Sequence, residues 1–297
     1  MTLKRRMLDL ARQAREKRLA DAAAHAQWVI ESCCIKKWPV RPLQIAATET
    51  PLLKVRCGNY RNKFDGRLEY HRRHGPFLLF YNTKYDENLP PGRRAPRTRF
   101  SIAHELGHFF LAEHHEYLRR GGEAHQSRSE FVSNIMMEKE ADTFAANLLL
   151  PSSLFRPLVN EEELSLTRIE KLADEFETSR VSTAIQAVKF SDFHCAVAGI
   201  RKGAVAWSFV SEPLIKGGFY PGPRGVLSSA YARDRWRAFQ QGDTDRAENP
   251  AWAREWFRTY KEGLGQKPVT EQYLPVQVMD TLVVFLNIPE DEVYDAY

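Results

Sequence analysis

The sequence predicts an α+β protein, and three observations carry that expectation. A long helical pattern opens the chain, and a cluster of short β-like runs follows between residues 52 and 82. Helical stretches then fill the middle, before the texture changes near Phe190 to alternating strand-like runs such as AVAGI and AVAWSFV. A chain of 297 residues most simply makes two domains. The punctuation divides it into a basic helical segment (1–39), a main domain (40–189) that ends in a helical pair, and a C-terminal α+β domain (190–297). Hydrophobic residues at 43% and charged residues at 27% exclude a disordered or low-complexity chain. No apolar run approaches the roughly 18 to 20 residues of a membrane-spanning helix, so no membrane partner is expected. There is no apolar signal core, and Cys33, Cys34, Cys57 and Cys195 form no C-x-x-C pair, so a reducing cytoplasm is the expected location.

Residues 1–35 read as helix, with Leu3, Met7, Leu10 and Ala14 recurring at helical spacing. The net charge of +5 is concentrated there. Lys4, Arg5, Arg6, Arg12, Arg15, Lys17 and Arg18 face only Asp9 and Glu16, which accounts for the whole excess and leaves the rest of the chain neutral. A docked helix with a solvated basic face is the leading reading; a contact with DNA phosphates or an acidic partner is the lesser one. Trp38-Pro39 and Arg41-Pro42 end the segment. LLKVRC (52–57), RLEYH (67–71) and FLLFYN (77–82), separated by turns at Gly66 and Gly75-Pro76, predict a small antiparallel sheet. One helical stretch is expected over 99–118 and another from about Phe131 to Leu150, stopped by Pro151.

The chemistry sits in the first of these stretches. His104-Glu105-Leu106-Gly107-His108 is an H-E-x-x-H motif. Residues four apart share a helical face about 6 Å apart, so two histidines can chelate one cation while the glutamate acts as a general base. A third ligand is needed, and four candidates lie downstream. On an unbroken helix His114 stands about 80° from His104 and about 120° from His108. Enzymes that use a third histidine there need a glycine turn, where this chain has Leu111. His115 returns to the correct face but lies about 10 Å beyond His108. His125 falls in a Gly-rich polar loop and reads as solvated. Glu138 and Asp142 sit four apart in EKEADTFAANLLLP: one carboxylate can complete the site, and the other can accept the ring N–H of a ligating histidine. Glu140 reads as an exposed helix acid. Gly107 costs about 1 kcal/mol in a helix interior, which close packing at the site would explain.

IAHELGHFFL followed by E-x-E-A-D-x-F-A-x-x-L-L-x-P resembles the ImmA/IrrE family of metallo-endopeptidases, over about residues 40–189. The resemblance implies a zincin-like core of a small sheet and active-site helices. It implies that His104, His108 and Glu138 bind Zn2+, with Mn2+ as an alternative, that Glu105 is the base, and that Asp142 orients a histidine. It also implies a protein substrate, a helix-turn-helix transcriptional repressor of stress-response or mobile-element genes. In zincins a sheet edge binds substrate by strand addition, and FLLFYN is the candidate edge. Leu150 stands where the family often has Met.

The stretch 166–190 has the texture of a helix-turn-helix, but acidic residues outnumber basic ones over 161–180, so helical packing is favoured over direct DNA binding. Asn249-Pro250 reads as a helix start, with Trp252, Trp256 and Tyr260 as an aromatic stripe. Gly217, Gly218, Gly222 and Gly225 read as turns rather than a phosphate loop. Residues 190–297 are expected to be sensory or substrate-selecting. The competing function is a non-proteolytic regulator or toxin–antitoxin partner with a vestigial metal site. Intact Glu105 favours the enzyme, because a purely structural site needs ligands but no base.

Overall fold

Ala22, Ala26, Val29 and Ile30 recur at helical spacing and are buried, so the second half of helix α1 (Leu3–Ser32) is the half that docks. The computed structural model describes residues 3–71, 75–121, 125–127, 136–289 and 293. The stripe expected from the first half of α1 is not a packing face: Met7 and Leu10 are exposed. Small residues decide the matter, because two alanines let α1 approach α5 (Met136–Leu149) closely, which the long basic side chains of the first half cannot do.

The chain forms two compact units, one of Met1–Leu154 with Glu175–Ser179 and the other of Phe155–Asp174 with Arg180–Tyr297. The first unit continues with α2 (Pro42–Thr48), β1 (Leu53–Gly58), β2 (Gly66–Tyr70) and β3 (Phe77–Asn82). It then adds α3 (Pro96–Phe110), α4 (Ala112–Arg119), the short β4 (His125–Ser127) and α5. The sheet order is β1-β3-β2-β4. β3 pairs with β1 in parallel and with β2 antiparallel, so the sheet is mixed rather than wholly antiparallel. FLLFYN is therefore not an edge, and the expectation that it offers a free backbone for strand addition is wrong. One face of the strand is a core face, where Phe77, Leu79 and Tyr81 bury with Leu53, Leu68, Ile102 and Leu106; both of its edges are taken by β1 and β2.

The helical stretch 99–118 is two helices rather than one. Leu111 adopts an extended conformation (φ −72°, ψ 116°) between α3 and α4, and that break redirects everything after it. Residues 131–135, expected at the start of the next helix, lie outside the described residues, as do the side chains of Leu3, Lys4, Arg5 and His125.

The second unit contains most of α6 (Ser152–Val159) and α7 (Leu166–Phe176), and all of α8 (Arg180–Phe190). In α8 every residue from Val181 to Val188 is buried. β5 (Cys195–Arg201) and β6 (Ala204–Val210) form a hairpin whose turn puts Lys202 (φ 51°) and Gly203 (φ 72°) in the left-handed region, as a tight two-residue turn requires. With α9 (Glu212–Lys216), β7 (Phe219–Pro221), α10 (Ala230–Gln240), β8 (Ala247–Trp252), β9 (Phe257–Thr259), β10 (Pro268–Val276) and β11 (Thr281–Asn287), the C-terminal region is mixed α and β as expected. Its antiparallel sheet runs β6-β5-β11-β10-β8.

The helix expected at Asn249-Pro250 is absent: these residues lie in β8, an edge strand, where a proline without an N–H is tolerated. The aromatic stripe dissolves with it, since Trp256 is buried while Trp252 and Tyr260 are exposed. Three aromatics at helical spacing had mimicked a helix, and cross-strand pairing with β10 overrode the local pattern. Among the described residues no helix is long and apolar enough to cross a membrane.

Candidate metal centre

α3 carries the H-E-x-x-H motif, and its start is well determined. Pro96 occupies the first turn, where its missing N–H costs nothing. The Asp86 carboxylate accepts hydrogen bonds from the Ala95 N–H (2.8 Å) and the Thr98 hydroxyl (2.8 Å), placing negative charge at the positive end of the helix. Further along, α3 packs on α5 at Gly107. A side chain there would begin 3.2 Å from the Ala141 Cα and 3.2 Å from the Phe144 ring, so the glycine permits the close approach that brings ligands from both helices together.

His104, His108 and Glu138 converge. His104 Nε2 lies 3.1 Å from His108 Nε2 and 3.3 Å from a Glu138 carboxylate oxygen, and His108 Nε2 lies 3.5 Å from the other oxygen of Glu138. Bonds of about 2.0–2.1 Å arranged tetrahedrally around zinc put neighbouring donor atoms about 3.3 Å apart, and the three residues bring donors to separations of that order. Two imidazoles and one carboxylate are also the donor set of a catalytic zinc site, with a fourth position left for water or substrate. Among the described residues, this is the cluster of three histidine, cysteine or acidic residues that could hold a metal ion. Glu105 is fully buried beside it on α3.

The hydrogen bond from His104 orients its ring for ligation, while its charge is one that a metal would have to displace. His104 Nδ1 lies 2.9 Å from an Asp142 oxygen; a carboxylate can only accept, so the ring donates from Nδ1 and turns Nε2 toward the cluster. Burial works against charging His104, but hydrogen bonds to Asp142 and Glu138, with Glu105 nearby, outweigh it and raise its pKa to about 10. His108 goes the other way: burial, reinforced by the charges of His104 and His114, lowers it to about 3 despite Glu138.

Two residues that sequence reasoning set aside are part of this neighbourhood. His114 belongs to no unbroken helix; the bend at Leu111 brings its Nδ1 to 3.1 Å from His108 Nδ1, on the side of that ring away from the cluster. Glu140 is not an exposed acid but is 6% accessible, with one oxygen 3.1 Å from His114 Nε2 and both oxygens bound by Arg18. No glycine or proline marks Leu111, so no local signal announced the bend. His115 does not approach the ligands: its Nδ1 donates to the Phe109 carbonyl (2.8 Å), and its ring packs on Phe77 and Phe109.

A small mixed sheet backed by a helix bearing two histidines, with a carboxylate delivered by a second helix, defines a metallopeptidase-like domain. Residues 70–187 match the Peptidase_M78 family model, described as the IrrE N-terminal-like domain, and the chain carries such a domain over that span. Across 90% of the chain the structure is also similar to a Mycobacterium tuberculosis transcriptional regulator, covering 75% of that protein with a TM-score of 0.52 at 12% identity, a likeness of fold. No curated protein matches the chain.

Proposed function

We propose that the protein is a zinc-dependent endopeptidase that hydrolyses a peptide bond in a regulatory protein, with a helix-turn-helix transcriptional repressor as substrate. The triangle of His104, His108 and Glu138 donors, at the spacing a tetrahedral cation needs, is the observation that carries this reading. When bound, zinc or manganese supplies a Lewis acid that polarises the scissile carbonyl and makes a water acidic. His104, His108 and Glu138 hold it, and Asp142 keeps the His104 ring turned toward it. Glu105 takes the proton of the attacking water and returns it to the leaving amine nitrogen. Glu105 is fully buried on the same helix as the two histidines.

The family match supports a regulatory target, as does a structural neighbour that is itself a transcriptional regulator. Direct DNA reading by the 166–190 pair is disfavoured, because α8 is buried along its length and has no long face to lay in a groove. The second unit, with its antiparallel sheet, is the part available to select the substrate or sense a signal.

The test is incubation of the purified protein with a small helix-turn-helix repressor encoded beside its gene, with zinc, with manganese and with chelator, followed by intact-mass measurement. Metal-dependent fragments that vanish in Glu105→Gln support the reading. Intact repressor under every metal condition replaces the enzyme with a regulator that acts by binding.

A further inference from the structure

We propose that the outer edge of β1, together with the groove between it and α2, docks an extended segment of a protein partner in which acidic and apolar residues alternate. No residue of this site belongs to the metal centre, so the proposal stands apart from the peptidase reading.

The Phe77 N–H donates to the Leu52 carbonyl (2.8 Å) and the Thr83 N–H to the Gly58 carbonyl (3.0 Å). With β1 and β3 paired in parallel between these two bonds, Lys54, Arg56 and Gly58 turn their backbone groups toward β3. Leu53, Val55 and Cys57 turn theirs outward, and the sheet order β1-β3-β2-β4 places no strand there among the described residues. The Glu49 carbonyl takes the Leu53 N–H (3.0 Å), and the Arg56 guanidinium donates to the Val55 carbonyl (3.0 Å). The Val55 N–H and both backbone groups of Cys57 are left for an incoming strand.

Beside this edge runs a groove of about 300 Å³, lined by Ala46 and Ala47 of α2 and by Leu53 and Val55 of β1. Its lining carries two charges, Lys54 and Arg56, and no acid. Successive side chains of a strand point to opposite faces. Leu53 and Val55 therefore share the face that packs into the core, and Lys54 and Arg56 are exposed on the other. A strand laid along the edge meets the two surfaces in alternation. Every second side chain enters the groove, and those between stand beside the cations. Apolar residues suit the first set and carboxylates the second, while main-chain bonds hold the strand itself.

A second copy of the chain fits worse, because its own β1 would bring Lys54 and Arg56 against their counterparts, and like charges on paired strands repel. Charges on an edge strand also serve to keep other chains away. A guard of that kind needs no groove beside it, and cations that repel basic strands attract acidic ones.

The test uses the full chain as purified. The probe is a fluorescein-labelled peptide of alternating glutamate and valine, about ten residues long to match a strand, with a lysine–valine peptide for comparison. Affinity is read by anisotropy, and the docking position by hydrogen exchange of backbone amides. We expect the glutamate peptide to bind and the lysine peptide not to. At about ten times its Kd, the Val55 and Cys57 amides should exchange about tenfold more slowly. Lys54→Glu/Arg56→Glu, at two exposed positions, should weaken the glutamate peptide by about tenfold or more and admit the lysine peptide. Ala47→Phe, also at an exposed position, should fill the groove and block binding.

No binding up to about 1 mM overturns the proposal. So do equal affinities for the two peptides, protection confined to residues outside β1, and binding that survives both variants. A dimeric protein whose Val55 and Cys57 amides lose protection on dilution also overturns it, and gives the edge to a second copy. Failure to cut a repressor bears on the metal centre alone and leaves this site standing.

Discussion

The Cα of Ala141 on α5 lies 3.2 Å from the point where a side chain at Gly107 on α3 would begin, and the Ala141 carbonyl oxygen lies 3.3 Å from it. These are backbone atoms, so neither can swing away. Gly107→Ala gains about 1 kcal/mol of helix propensity, but it must push α3 from α5 by a few tenths of an ångström. Overpacking of this kind costs about 1–3 kcal/mol. Because the two helices carry the ligands, separating them should also misalign Glu138. We expect a lower Tm and weaker zinc binding in the same variant, measured by thermal melts and chelator competition. A higher Tm with unchanged zinc affinity would show that the contact relaxes freely.

Glu105 and the ligands should separate cleanly by variant. Glu105→Gln should keep zinc and lose cleavage by about 10²-fold or more, because the amide cannot accept a proton. Glu138→Ala should lose both. Full cleavage by Glu105→Gln would exclude it as the base.

Zinc uptake should depend on pH with a defined sign. The folded-state pKa of His104 is raised to about 10, above the ordinary 6.5; burial opposes this, and hydrogen bonds to Asp142 and Glu138 outweigh it. The charged ring thus stabilises the metal-free protein fully below pH about 6.5, and that stability is lost as pH rises through about 10. Zinc must displace the proton, so its apparent affinity should climb by about tenfold per pH unit within this window. Asp142→Ala removes part of the cause and should flatten both the affinity profile and the pH dependence of the metal-free Tm.

Arg99 gives a stability prediction remote from the ligand atoms. Its guanidinium is 3% accessible, donates to Glu177 at 3.0 Å and also to the carbonyls of Val40 (2.7 Å) and Phe176 (3.2 Å). Burial lowers its pKa to about 10 even with Glu177 beside it. Arg41 grips the same carboxylate at 2.6 Å and 3.1 Å. Glu177→Ala leaves a buried cation with carbonyls alone and should destabilise the fold by about 3 kcal/mol, measurable by urea unfolding. A change under about 1 kcal/mol, the size expected of an exposed pair, would mean that the carbonyls suffice.

Several elements could be read directly from residue order because their determinants are local. His104 and His108 share a face because a helix repeats every 3.6 residues, and Glu105 follows from the same short motif. Glu138 and Asp142 were narrowed to a pair by their spacing, and assigned to separate roles through a family resemblance. The structure keeps both in play, Glu138 facing the Nε2 atoms and Asp142 holding the outer nitrogen of His104.

The rest was decided by packing. FLLFYN looked like an edge but is central, because β1 and β2 pair with both of its edges. Asn249-Pro250 looked like a helix start but lies in an edge strand paired with β10. The sequence by itself determined the α+β class and the His-Glu-His spacing of the candidate site, which depend on contacts a few residues apart. Only the tertiary structure decided that Leu111 bends the chain, that His114 turns back onto His108, and that Arg18 reaches Glu140 from 122 residues away. Those contacts depend on where whole helices dock, and docking is set by burial summed over many residues rather than by any short motif.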